Sequence, residues 1–224
     1  MVDYYLSIGV EHFYITDNNS APPLQSILHD YINKGLITYR YDTRVKPQTA
    51  VYNECIREHV NDAEWIMFFD SDEFLVLKQH AHIKAFLKSY ESYGSISIRW
   101  YLFGSSGHEK KQPSMIQSYT QRAAQSCHYK TIVQPSRIAQ FSVHNVTRHK
   151  GNYYTVDKKC RRVEGAFTKY QDHYVTRSRE DFADKAKRGG GTNPKPKTWD
   201  FFNKTNKEAV IEDRLLLEQT QERK

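Results

Sequence analysis

Short apolar runs alternate with polar turns along the first third of the chain. Residues 12–17, HFYITD, form an aromatic and β-branched run that ends in Asp17-Asn18-Asn19-Ser20, a cluster that favours a turn. Pro22 and Pro23 suit the first turn of a helix. Leu24, Ile27, Leu28, Tyr31 and Ile32 then recur at helical spacing until Gly35 supplies a cap. LITYRY at 36–41 predicts a second strand, Thr49 to Ala63 a second helix with Val51, Cys55, Ile56 and Val60 apolar, and EWIMFFD at 64–70 a third strand.

Strands separated by helices, the third an apolar run, predict an α/β fold: a mainly parallel, Rossmann-like sheet flanked by helices on both faces. Ligands bind beyond the carboxyl ends of such strands. Asp17-Asn18-Asn19 and Asp70-Ser71-Asp72 are therefore expected to face one crevice.

Further on, Ala81 to Tyr93 reads as an amphipathic helix, and GSISIRWYLFG at 94–104 as a strand with Ile96, Ile98 and Trp100 on one face. The second half is more β-rich, with strands expected over Lys130–Gln134 and Arg137–Val143 on either side of Pro135-Ser136. Ser178 reads as a helix N-cap with Asp181 three residues on and Phe182 and Ala186 inside. A last helix is expected from about Lys207 to Glu222.

Composition sharpens this picture. With 224 residues, 38% of them hydrophobic, the chain can bury one full core. Its 16 tyrosines and 11 phenylalanines predict an aromatic core with phenol groups at the edge. The formal charge of +7 suits an anionic partner, and it is unevenly placed: Lys185, Lys187, Arg188, Lys195 and Lys197 cluster around Gly189–Gly191, far from the acids of 70–73. A nucleic-acid-binding protein would draw only on that charge, and the acidic crevice opposes it.

Cys55, Cys127 and Cys160 form neither a disulfide framework nor a zinc pattern, so a reducing compartment is expected. No apolar run approaches the roughly 20 residues of a membrane span, and the first ten residues lack signal-peptide character. The sequons at Asn18, Asn145 and Asn203 are read as chance. A cytoplasmic protein, in peripheral contact with a membrane at most, is the expectation.

Asp70 and Asp72 end a buried strand on alternate positions, which allows both carboxylates to converge on Mg or Mn while leaving positions open for phosphates. The bland reading is a solvated strand end. Glu73 would then support the other two. Asp17 can accept from a base or ribose, or can simply close the turn. His173, with His144 as the weaker rival, could complete a metal shell. The basic run from Lys185 through Arg188 could fold over a diphosphate, or be a solvated linker. Gly104-Ser105-Ser106-Gly107-His108 lacks the elbow of a serine hydrolase. A loop beside an acceptor hydroxyl, with His108 or Glu109 in reach of its proton, fits better.

Five ordered segments, YYLSIGVEHFYITDNNS, YNECIREHVNDAEWIMFFDSDEFLVL, WYLFGSSGH, YKTIVQP and DHYVTRSREDFADKAKRG, span residue 4 to about 189. In order and spacing they resemble nucleotide-sugar glycosyltransferases of the GT-A fold, family 2-like and family 92-like. That resemblance implies a single transferase domain: residues 1–100 as its nucleotide-sugar half, 101–190 as its acceptor side and 191–224 as a charged segment. It implies an Mn- or Mg-dependent, inverting transfer from a UDP- or GDP-type sugar donor to a glycan, lipid-linked glycan or glycoprotein.

Carried onto these residues, the resemblance makes Asp70 and Asp72 the metal acids, joined by His173, and Asp17 the nucleoside acid. The expected donor contacts are Asp17, Asn18, Asn19, Gln48, Asn53, Asp70, Lys185 and Arg188. For the catalytic base it leaves His108, Glu109 and Asp172 open, because the later Glu-Asp pair of family 2 is missing. The chain is also expected to lack the family's opening strand, with Met1 falling in the helix that follows it. A non-catalytic nucleotide- or carbohydrate-binding remnant is the alternative.

Overall fold

The computed structural model describes residues 1–124, 129–157, 159–162, 169–188 and 197–223. The chain opens with helix α1 (Val2–Ser7), followed by β1 (Phe13–Asp17), α2 (Leu24–Asn33), β2 (Ile37–Tyr41) and α3 (Gln48–Glu58). Next come β3 (Ile66–Met67), β4 (Glu73–Leu75), α4 (Ile83–Leu87), β5 (Ser95–Leu102), α5 (Met115–Ser118), β6 (Gln121–Ala123) and β7 (Tyr129–Val133). The remainder is β8 (Ile138–Phe141), β9 (Val146–His149), β10 (Thr155–Val156), β11 (Lys169–His173), α6 (Arg179–Arg188), α7 (Trp199–Glu208), β12 (Ala209–Glu212) and α8 (Leu215–Glu222).

The β-α-β start is as expected. β1 and β2 run parallel, Phe13 beside Ile37 and Asp17 beside Tyr41. Pro23 is the N-cap of α2, and Gly35, at φ +70°, lies just past its end, where a left-handed residue costs glycine nothing.

The sheet is mixed, which corrects the expectation of a mainly parallel one. The central sheet runs β3-β7-β5-β11-β4, with β10 added beside β5. β5 is parallel to β10 and β11, whereas β3–β7, β5–β7 and β4–β11 are antiparallel. The third predicted strand is also cut short. Of that run only Ile66 and Met67 pair with β7. Phe68 leaves the ladder to stack on Tyr52, with ring centroids 4.3 Å apart, and Asp70 begins a turn closed by Glu73 N–H donating to its carbonyl at 3.0 Å. An apolar run is thus divided between a short ladder and an aromatic contact.

Two helices are shorter than predicted. α3 stops at Glu58, and 83–90 splits into α4 and a 3-10 turn. The predicted last helix is divided too: residues 209–212 extend as β12, antiparallel to β6, before α8 resumes. Val210 and Ile211 satisfy a strand as well as a helix, and the partner strand decides.

Buried Ile96, Ile98, Ile132, Phe74, Phe103 and Tyr174 make the main core, with Phe103 stacked on Tyr174 at 4.8 Å. Phenols do sit at its edge. Tyr4 donates to the Leu75 carbonyl at 2.6 Å, while the Tyr5 hydroxyl accepts from Leu75 N–H and donates to the Glu73 carbonyl, both at 3.1 Å. Helix α1 thereby takes up backbone groups of the sheet's terminal strand β4, directly after the acids.

Among the described residues β1 pairs only with β2, and β3 is the other terminal strand of the central sheet. Both line one cavity of about 1260 Å³, whose wall also includes α3, α4, Asn18, Asp70 and Ser71.

Candidate functional site

The turn between β3 and β4 carries Asp70, Ser71 and Asp72, and β11 brings His173 to it. His173 is the register partner of Glu73, and Tyr174 N–H donates to the Asp72 carbonyl at 3.0 Å. This pairing of distant segments assembles the site.

Asp72 is buried. Its Oδ2 accepts from Lys185 Nζ at 2.8 Å and lies 3.7 Å from Arg177, while its Oδ1 lies 3.6 Å from His173 Nε2. Burial works against the carboxylate, but His173 and Lys185 outweigh it and hold Asp72 well below the usual carboxylate range. His173 is pushed down by burial, against the pull of Asp72. Its ring meets Trp100 edge-on at 4.4 Å.

Asp70 is more open, its side chain 42% exposed, and it borders the cavity. Gln48 donates to its Oδ1 at 3.2 Å and Lys130 to its Oδ2 at 3.4 Å. Glu73 lies beneath, fully buried, accepting from Asp70 N–H at 2.9 Å and standing 3.6 Å from Lys130. Burial pushes the Glu73 carboxyl up to about 8, although Lys130 opposes it. Burial and Lys185 bring Lys197, whose Nζ stands 4.6 Å from the centre of the Phe201 ring, down to about 8. Lys130, Arg177 and Lys185 therefore ring the acids, an arrangement suited to an anion placed beside them.

The donors fit a hard divalent ion in part. Asp72 Oδ1 and His173 Nε2, at 3.6 Å, are too far apart for a hydrogen bond and near the separation of two ligands sharing one ion. Glu73 Oε1 lies 3.9 Å from His173 Nδ1, the side from which a carboxylate orients a ligating imidazole. Asp70 is the natural third donor. Among the described residues, however, no three such side chains already stand at ligating distance.

Other expected site residues make hydrogen bonds within the surrounding fold. Asp17 closes the turn: its carboxylate accepts from Ser20 N–H at 2.9 Å, Leu24 N–H at 2.8 Å and the Tyr39 hydroxyl at 2.9 Å. Despite burial, those bonds lower its pKa to about 2. Asn18 borders the cavity and donates to the Asp42 and Arg44 carbonyls, whereas Asn19 accepts from Tyr41. Asn53 ties α3 to β8, donating to the Phe141 carbonyl at 2.7 Å and accepting from its N–H at 2.9 Å.

The glycine-serine loop is structural. A Cβ on Gly104 would stand 2.7 Å from that of Ala209, Ser105 N–H donates to Asn206, and Ser106 Oγ accepts from Thr120 and Gln121 N–H. His108 Nε2 lies 3.0 Å from the Ser118 carbonyl, and the carbonyls of His108 and Glu109 accept from Arg179 and Glu180 at the start of α6. No described hydrogen bond or ion pair joins His108 or Glu109 to Asp70 or Asp72. His144 packs edge-on against Trp100 at 5.5 Å. The side chains of Asp172 and Arg188, and residues Gly189–Gly191, Lys195 and Cys127, lie outside the described residues.

Sequence reasoning missed Lys130, Arg177 and Glu73's burial. A lysine inside the apolar strand YKTIV was the available signal, since a buried ammonium requires carboxylates nearby.

The model of Glycosyltransferase family 92 matches residues 1–221. A glycosyltransferase family 92 protein of Ricinus communis is 30% identical over 155 residues, covering 66% of this chain and 28% of that protein. One from Oryza sativa subsp. japonica is 29% identical over 151 residues (65% and 26%), and one from Arabidopsis thaliana 25% identical over 156 (64% and 27%). The matched region spans about a quarter of the length of these curated relatives. With the family model covering nearly every residue, the chain belongs to glycosyltransferase family 92.

Proposed function

We propose that this chain forms the donor-binding and reaction centre of a glycosyltransferase that moves a sugar from a nucleoside diphosphate to a glycan or glycoconjugate, with inversion. The observation that carries this is the ring of Lys130, Arg177 and Lys185 around Asp70, Asp72 and His173, placed beside a cavity large enough for a nucleotide sugar.

In this reading the diphosphate lies over Asp70 and Asp72, and the nucleoside enters the polar end of the cavity near Asn18 and Gln48. Bound Mn or Mg would be held by Asp70, Asp72 and His173 and would neutralise charge on the departing diphosphate. The protein supplies the rest. Lys185 and Arg177 give fixed positive charge where the leaving group becomes more anionic, and their cost is met before reaction. Glu73 and Trp100 hold the His173 ring in place. His108, Glu109 and Asp172 remain the base candidates: the first two stand at the start of α6, where their carbonyls accept from Arg179 and Glu180 N–H, and the third lies on β11.

The architecture we infer is of GT-A type. The rival reading, a binding remnant, shares the fold but not turnover.

The test is donor hydrolysis and transfer across a panel of UDP and GDP sugars with Mn, on wild type and Asp72→Asn. Turnover of one donor that the substitution abolishes supports the transferase. Binding without turnover of any donor supports the remnant.

A further inference from the structure

From Arg137 to Arg162 the sequence holds seven lysines and arginines and a single acid, Asp157, against a formal charge of +7 for the whole chain. The fold gathers this charge at one place. Lys150 N–H donates to the Arg137 carbonyl at 2.8 Å, Gly94 N–H donates to the Tyr154 carbonyl at 3.1 Å, and Arg162 forms a β-bridge with Val156. The turns that follow β9 and β10 therefore meet where β5 begins, at Ser95. The acids of 70–73 belong to the other end of that strand, because His173, opposite Glu73, is also the partner of Leu102. From Ser95 to Leu102 is seven residues of extended chain, about 23 Å.

The one acid does not cancel the cluster. Asp157 is buried, and its carboxylate accepts from Lys159 N–H at 2.8 Å, Arg161 N–H at 3.0 Å and Arg161 Nε at 2.8 Å, so it closes its own turn and offsets Arg161 alone. Arg148, Lys150 and Lys159 are exposed. Beside them Tyr153 is 41% exposed, with the Arg137 guanidinium 4.3 Å from its ring centre.

We propose that this end of the molecule docks on an anionic lipid bilayer, with Arg148, Lys150 and Lys159 against the headgroup phosphates and Tyr153 at headgroup level. Charge complementarity carries the first part, since each cation near such a surface strengthens binding roughly fivefold. The single exposed tyrosine carries the second. An amphipathic ring of this kind settles at the interface between water and lipid. A single-stranded nucleic acid is held instead by successive exposed aromatic faces, and here the next rings, Tyr154 and Tyr93, are partly buried and pack edge-on against each other at 5.7 Å. Docking by this end leaves the turn of Asp70 and Asp72 away from the lipid. The proposal does not depend on the donor-site reading.

The test is flotation of the protein with vesicles of neutral phosphatidylcholine and with vesicles that also contain phosphatidylserine, at low and high salt and without nucleotide. Wild type is compared with a triple variant, Arg148→Gln, Lys150→Gln and Lys159→Gln, with Tyr153→Ala, and with a control that loses the same charge from exposed positions elsewhere, Lys34→Gln, Lys204→Gln and Lys207→Gln. Thermal melts show whether each is folded. Wild type should bind the anionic vesicles only, and high salt should release it. The triple variant should bind about a hundredfold more weakly, and the control should stay near wild type. Tyr153→Ala should lose about threefold and keep the salt dependence of wild type. If the triple variant does not fold, Arg148→Gln and Lys159→Gln alone should each cost roughly fivefold.

Absence of binding to anionic vesicles, or an equal loss in the control, overturns the proposal. So does tighter binding of wild type to double-stranded DNA or to polygalacturonate than to the vesicles, which would give the surface to a polyanionic chain instead of a bilayer.

Discussion

His173 stands opposite Glu73 in the antiparallel ladder of β11 and β4, and the same imidazole faces Asp72 on its other nitrogen. The ring thus links the innermost acid to the outer one. Replacing it with alanine removes the contact with Trp100 and the imidazole beside Asp72. For His173→Ala we expect a stability loss of about 1–3 kcal/mol in urea unfolding and a fall of at least about tenfold in Mn affinity. A purely structural histidine would lose stability and leave Mn binding alone.

Lys130 is 1% exposed and faces both Asp70 and Glu73. Lys130→Met leaves those acids without their shared cation, and breaking a buried pair in this way costs roughly 3–5 kcal/mol. The loss should be smaller at pH 5 than at pH 8. Glu73's folded pKa is raised, to about 8, so the folded state favours its proton, and that contribution fades as pH rises through 8. Urea melts of wild type and variant at both pH values check the magnitude and the sign.

Asp17 shows the opposite sign. Its folded pKa, about 2, lies below the ordinary 3.8, so its stabilising contribution is complete above about pH 4 and disappears as pH falls through 2. Asp17→Asn should cost about 1–2 kcal/mol at pH 7, and the gap between the two proteins should close between pH 4 and pH 2. An undiminished gap at pH 2 would mean that the carboxylate charge is not what holds Ser20, Leu24 and Tyr39.

Asn53 separates a scaffold role from a donor role. Its amide makes two hydrogen bonds to the backbone of Phe141, which couples α3 to β8. Asn53→Ala should lose about 1–3 kcal/mol of stability while nucleotide affinity stays within about twofold. A selective loss of affinity with stability intact would restore Asn53 to the donor site.

Much of this was legible in the sequence where local pattern and final environment agree. The parallel β1–β2 pair, α2 with its proline start, β5, β7 and the Ser178 cap follow from periodicity and capping chemistry alone. The arrival of His173 beside the Asp70–Asp72 turn was expected, although lone histidines carry little signal. The rest depended on partners far along the chain. Residues 209–212 became a strand because β6 offered an edge, and EWIMFFD ended early because β7 pairs with only two of its residues. The turn-closing bonds of Asp17, and those of Asn18 Nδ2 and Asn19 Oδ1, go to Leu24, Asp42 and Tyr41, which only the folded backbone brings near.

The most direct test of the donor-site account is a calorimetric titration of UDP and GDP into the protein, with Mn and with chelator, on wild type and Asp72→Ala. The account predicts that one nucleotide binds wild type tightly only with Mn and that Asp72→Ala abolishes the metal-dependent part. Binding of equal strength in wild type and variant, or no binding of either nucleotide under any condition, would contradict it.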